Sequence, residues 1–155
     1  MLFVSIKENF YIPGLICSVA ILMIYKRRGL VFFIAAAIAI GLADAIGHYI
    51  LKEGIQRIRP CHVLPQDIIG VVSCSNSFSF PSNHAVNSFT AATLLSLCFR
   101  NTTFLVFTLA LIVCYARVYL KVHYPSDIFG GMIFGGAMGY FGYLIYGRIL
   151  KYIKP

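Results

Sequence analysis

The chain has 155 residues, enough for one domain and short for two. Apolar residues make up 59% of it and charged residues 12%, and the mean hydropathy is +0.83. This excludes a disordered chain and argues against a soluble globular enzyme. The apolar runs are continuous rather than alternating, so membrane helices are favoured over a barrel. The expected fold is all-α: a bundle of about five transmembrane helices in a single membrane-embedded domain over residues 1–155. The net charge of +8 would suggest nucleic acid in a soluble protein. Here the cations are read as facing anionic lipid headgroups and setting topology, and no nucleic-acid partner is expected. Trp is absent, so Tyr must supply any aromatic belt.

In chain order, Met1–Phe10 is expected to lie along the interface. Apolar stretches then run from about Tyr11 to Tyr25, Leu30 to Leu51, Ala85 to Phe99, Thr103 to Leu120 and Ile128 to Tyr146. Several are short for a hydrocarbon layer of roughly 30 Å. The first is preceded by a mixed-charge start and lacks a small-x-small cleavage site, so it reads as a retained helix. Residues 26–28, 100 and 148–154 share one side and hold seven of the 13 basic residues and no acid. That side is expected to be cytoplasmic, with the 52–83 loop and the 120–126 turn facing outward.

Pro60, Pro65, Gly70, Pro81 and a Ser/Asn-rich run mark the 52–83 loop. Its two cysteines, Cys61 and Cys74, could be bridged or remain free. Cys17, Cys98 and Cys114 sit in apolar stretches. The absence of a CxxC or HxxxH pair argues against a zinc site. Gly131, Gly135 and Gly139 recur at four-residue spacing in the last stretch and suggest close helix packing inside the monomer, or a dimer face.

Polar residues in a membrane helix need a reason. Asp44, His48 and Lys52 recur every four residues on the second helix, with Arg59 beyond. Asp44 and His48 could serve packing alone, and Lys52 and Arg59 could be snorkelling surface cations. Pro81-Ser82-Asn83-His84 opens the third helix; Ser82 and Asn83 suit an N-cap, and a helix N-terminus binds anions. Arg117, His123 and Asp127 follow around the last turn. A carboxylate at i+4 can bond one ring nitrogen of His123 and leave the other as nucleophile or base. Under the expected topology the three groups share the outer face, where cations, imidazoles, a hydroxyl and helix-end amides suit a phosphate group.

Lys52-x6-Arg59-Pro60, Pro81-Ser82-x-His84 and Arg117-x5-His123-x3-Asp127 resemble the three signatures of the type 2 phosphatidic acid phosphatases, over about residues 44–135. The usual Gly of the second signature is Asn83, and the usual Ser before Arg117 is Ala116. The membrane branch commonly has six helices, against five here. The resemblance implies a metal-independent hydrolase with no cofactor, acting on a lipid phosphate in the bilayer. It implies that His123 attacks phosphorus to give a phosphohistidine and Asp127 orients it. His84 protonates the leaving group and later activates water. Lys52, Arg59, Ser82, Asn83 and Arg117 bind phosphate oxygens. Lipid A 1-phosphate or undecaprenyl pyrophosphate is the favoured substrate; phosphatidylglycerophosphate and phosphatidic acid are the alternatives. An inactive lipid-binding protein of the same fold, a vanadate-dependent oxidase and an ion channel through Asp44 and His48 are the competing readings. The expected location is the bacterial inner membrane with the site facing the periplasm.

Overall fold

A computed structural model of the chain describes residues 9, 11–63 and 74–153. The interfacial helix expected within Met1–Phe10 falls, apart from Asn9, outside the described residues, as does the middle of the 52–83 loop. The described residues contain helices and no strand.

Five long helices occupy the five apolar stretches: α1 (Tyr11–Tyr25), α2 (Arg27–Ile46), α3 (Asn83–Cys98), α4 (Thr103–Tyr119) and α5 (Pro125–Ile153). Among the described residues, three helical segments are long and apolar enough to cross a bilayer: Arg27–Val63, Arg100–Tyr119 and Pro125–Ile153. α1 and α3, at 15 and 16 residues, are shorter. The outward faces carry large apolar side chains such as Ile12, Leu30, Phe104, Ile133 and Leu144, as expected where lipid is the solvent. The chain is therefore a membrane helix bundle.

Helix boundaries follow local chemistry. Lys26, at φ 47°, makes the tight turn between α1 and α2. α5 begins at Pro125, whose missing N–H would be unsatisfied in a first turn anyway. α2 continues as a π-helical segment, Gly47–Lys52, and a short turn, Glu53–Ile55. Such wide turns often mark functional sites.

α3 and α5 form the centre, and their pairing is the most extensive in the bundle. α2 packs on both, α4 on α3, and α1 chiefly on α2. The glycines explain the close pairing. A Cβ at Gly135 would collide with the Val86 carbonyl. One at Gly139 would lie 2.6 Å from the Thr90 carbonyl, and one at Gly131 would lie 2.8 Å from the Ala85 Cβ. The glycine row is thus filled by α3 of the same chain, and backbones touch where side chains are missing. Between α2 and α3, Asn87 Nδ2 donates to Asp44 Oδ1 at 3.1 Å. Asp44 therefore joins two helices.

At one end of the bundle, Val31, Phe32, Leu94, Phe99 and Tyr146 form an apolar cluster. Arg27, Arg28 and Lys151 line one cavity at that end. The other end holds the polar loops. There Cys61 and Cys74 form a disulfide, with Cα atoms 6.1 Å apart. It joins the short helical turn Pro60–Val63 to the segment that leads into α3.

The glycine contacts set a test by thermal melting in detergent. Gly135→Leu should cost about 1–3 kcal/mol or more, because backbone cannot give way as a side chain can. Gly136→Leu should melt near the wild type, since a Cβ there meets nothing within 4 Å. Equal melting of the two variants would contradict the packing described.

Candidate active site

Asp127 organises the polar end of the bundle. It is wholly buried in the first turn of α5. Its Oδ2 accepts the Tyr124 N–H at 2.9 Å, reaching back across the turn as an acidic residue at N3 does in a capping box. The same oxygen accepts the Ser79 hydroxyl. Oδ1 accepts Arg57 Nη1 at 3.0 Å. Arg57 also donates to Ser126 Oγ and lies 4.1 Å over the Tyr124 ring. The Asp127 main-chain carbonyl accepts the Ser82 N–H. One carboxylate thus ties α5 to both ends of the 52–83 loop.

His123 is buried in the turn before α5. Its Nδ1 lies 3.5 Å from Asp127 Oδ2, and its Nε2 lies 3.2 Å from Arg59 Nη1. A guanidinium can only donate, so Nε2 must carry the lone pair and Nδ1 the proton. The N–H then faces the carboxylate and the lone pair faces the cations. Burial holds the imidazole below its usual pKa; the nearby Asp127 opposes this and Arg59 reinforces it.

Arg59 is held by a fan of acceptors. Nε donates to the Ser77 carbonyl at 2.7 Å and Nη2 to Ser77 Oγ at 2.9 Å. Nη1 donates to the Val122 carbonyl at 3.3 Å. Lys52 Nζ donates to the Phe78 carbonyl at 2.7 Å. Both cations are buried, so the 77–79 backbone fixes where they point.

A cavity of about 320 Å³ opens here. It is lined by His48, Lys52, Arg59, Ser75, Ser77, Asn83, His84, Arg117 and Val122. Of the expected site residues, Lys52, Arg59, Asn83, His84 and Arg117 line it directly. His123 and Asp127 stand behind Arg59. Ser82 is at the N-cap of α3, but its hydroxyl makes no capping bond. Ser82 Oγ and Arg117 Nε are buried without a hydrogen-bond partner among the described residues. An oxyanion seated in the cavity suits both. Asn83 replaces a glycine at helical geometry, where it needs no unusual φ. Ala116 is fully buried and lies outside the cavity lining.

Sequence reasoning missed Arg57, Ser77 and Ser79. A Ser/Asn-rich run marks a loop and says nothing of what its serines bond. Arg57, two residues before Arg59, gave a signal as a third cation in the stretch. His48 and Asp44 part company: His48 lines the cavity, whereas Asp44 bonds Asn87.

Three buried cations, two imidazoles and helix-end amides around a small cavity at one end of a membrane bundle suit a tetrahedral oxyanion. The profile of the PAP2 superfamily matches residues 28–151, and the chain belongs to that superfamily. It is 35% identical over 127 residues to a lipid A 4′-phosphatase of Bacteroides thetaiotaomicron, covering 77% of this chain and 56% of that protein. It is 29% identical over 133 residues to an undecaprenyl-diphosphatase of Sulfolobus acidocaldarius, covering 83% of this chain and 60% of that protein. The chain thus spans little more than half the length of these relatives. The crystal structure of a transmembrane PAP2-type phosphatidylglycerolphosphate phosphatase from Bacillus subtilis matches with a TM-score of 0.61 at 24% identity. The match covers 94% of this chain and 71% of that one.

Nitrogen-15 NMR of the histidines tests the His123 geometry. Its signals should show the Nδ1–H tautomer and titrate below 6.5, the ordinary value. An Nε2–H tautomer, or a midpoint above 6.5, would contradict the arrangement.

Proposed function

We propose that this chain is a single membrane-embedded domain that hydrolyses a phosphate monoester or diphosphate on a membrane lipid, at the periplasmic face of the bacterial inner membrane. The reaction needs no metal and passes through a phosphohistidine. The observation that carries this reading is His123, with its N–H toward Asp127 and its lone pair toward the cationic pocket.

In this mechanism Lys52, Arg59 and Arg117 take the non-bridging oxygens, with Ser82 Oγ and the Asn83 N–H completing the set. His123 Nε2 attacks phosphorus in line, and the bond to the lipid oxygen breaks. His84 gives that oxygen a proton. The Asp127 carboxylate supports the charge that develops on the His123 ring, and Arg57, Ser79 and the Tyr124 N–H hold it in place. His84, now neutral, takes a proton from water as the water oxygen attacks the phosphohistidine. Inorganic phosphate leaves and His123 is regenerated.

The Lys/Arg asymmetry supports the outward orientation. Arg27, Arg28 and Lys151 gather at the end opposite the pocket, as cytoplasmic residues would. Relatives named for lipid A 4′-phosphate and undecaprenyl diphosphate support a lipid A phosphate or undecaprenyl diphosphate as substrate.

A panel of purified lipids tests the chemistry: lipid A phosphorylated at position 1 or 4′, undecaprenyl diphosphate, phosphatidylglycerophosphate and phosphatidic acid. Phosphate release should survive EDTA and fall with vanadate. His123→Ala should lose turnover and acid-labile phosphoenzyme by at least about 10³-fold, while still binding substrate. Loss of release in EDTA with recovery in Mg²⁺, or turnover by His123→Ala near the wild type, would overturn the mechanism.

Sidedness is tested by labelling spheroplasts with an impermeant maleimide. Glu53→Cys should be labelled above the wild-type background, and Arg28→Cys should not. The reverse pattern would place the site in the cytoplasm.

A further inference from the structure

We propose that Cys61, His62 and Cys74 form a second site, separate from the phosphate pocket, that is a disulfide when oxidised and holds one Zn²⁺ ion when reduced. The three side chains come from two segments joined at one point, Pro60–Val63 and the approach to α3. No local CxxC or HxxxH spacing supplies these ligands; the fold does, because the disulfide already joins the two sulfurs and brings His62 beside them, with all three ligand atoms within 4.8 Å, the only such group of three among the described residues. His62 Nε2 is 3.3 Å from Cys74 Sγ. Zinc bonds of about 2.3 Å to sulfur and 2.0–2.1 Å to nitrogen give a tetrahedral edge near 3.5 Å, so His62 already stands at ligand spacing. Two zinc-bound sulfurs need a separation of about 3.8 Å. With Cα atoms 6.1 Å apart, side-chain rotation reaches it.

The donor set selects the metal. Two thiolates and an imidazole suit a borderline-soft d¹⁰ ion, whereas Mg²⁺ and Ca²⁺ want oxygen. The two thiolate charges cancel those of Zn²⁺, so loading adds no net charge beside the phosphate pocket. Cys61 is buried, Cys74 half-buried and His62 exposed, so an ion can enter from solvent and still be anchored. The fourth position falls to water, as in open zinc sites.

The gate is a two-electron reduction by a dithiol. One thiolate of the reductant attacks Cys74 Sγ, the half-exposed sulfur. The Cys61–Cys74 bond breaks, a mixed disulfide forms and Cys61 leaves as thiolate. The second thiol of the reductant, as thiolate, displaces Cys74 and closes the reductant's own disulfide. Zn²⁺ then binds both thiolates and the imidazole. His62 Nε2 gives up its contact with the Ser75 carbonyl, 3.2 Å away, to face the ion. Covalent bridge and metal bridge hold the same two segments. Those segments carry Arg59 and its partner Ser77, two residues before Cys61 and three after Cys74.

Cobalt serves as the spectroscopic probe, with the full-length chain in detergent, reduced with a dithiol that is then removed anaerobically. One Co²⁺ per chain should bind with a thiolate-to-cobalt charge-transfer band, and Zn²⁺ should displace it. The oxidised chain should give no band. His62→Ala should weaken binding by about tenfold or more, at least the scale of outer-shell changes. Zn²⁺ should also raise the melting temperature of the reduced wild-type chain. It should shield Cys61 and Cys74 from alkylation, read by peptide mass spectrometry, which needs no variant to fold. Absence of the band would overturn the site. So would an equal band in the oxidised chain, or equal alkylation with and without Zn²⁺. A band that persists in the Cys61→Ser/Cys74→Ser double variant would assign the metal to Cys17, Cys98 or Cys114 instead.

Discussion

The polar end of this bundle depends on one buried charge. Asp127 has no exposed surface, and an unpaired carboxylate there would cost several kcal/mol. It is tolerated because Arg57, the Ser79 hydroxyl and the Tyr124 N–H all donate to it. These donors come from both ends of the long loop and from the turn before α5. Satisfying the charge therefore forces the loop ends together, and with them the cations Lys52 and Arg59, which hang on the carbonyls of Ser77 and Phe78. The site is assembled by the need to solvate a carboxylate without water. On the proposed mechanism that same carboxylate is the group that orients His123.

The apolar part of the bundle obeys a different constraint. Lipid gives helices no hydrophobic reason to associate, so close contact must supply it. The row Gly131, Gly135 and Gly139 lets α5 settle on the backbone of α3. This places the start of α5, with Asp127, beside the start of α3, with Ser82. The hydrogen bond from Ser82 N–H to the Asp127 carbonyl marks that junction. Shape at the middle of the membrane thereby sets the register of chemistry at its edge.

The helices were legible because long apolar runs in a chain this poor in charge have few alternatives. Lys52, Arg59, His84 and Arg117 of the cavity were legible through the resemblance of their spacing to the three signatures, and His48 was not. The support behind them was not. Ser77 and Ser79 act through a carbonyl and a hydroxyl whose partners lie 18 and 48 residues away, and no local pattern encodes such a pairing. Asp44 and His48 share a stripe in the sequence. In the structure one meets Asn87 and the other the cavity, a difference set by the neighbouring helix and by the π-helical segment that begins at Gly47. Ser82 was expected to cap α3 with its side chain. Its main chain is bonded, the N–H to the Asp127 carbonyl and the carbonyl accepting from the Val86 N–H, while the hydroxyl makes no bond.

The fan of bonds around Arg59 has one further consequence. All five of its N–H groups have acceptors, and one of those acceptors is the lone pair of His123 Nε2. In the resting chain the proposed nucleophile is therefore sheathed by the guanidinium. An arriving phosphate offers Arg59 a charged acceptor in place of a neutral nitrogen, and a charge-assisted bond is roughly twice as strong as a neutral one. On the proposed mechanism one Nη1 N–H passes from His123 to the anion and the lone pair is bared, while the bonds to Ser77 and Phe78 keep the guanidinium in place. On that mechanism reactivity is latent until a phosphate is present.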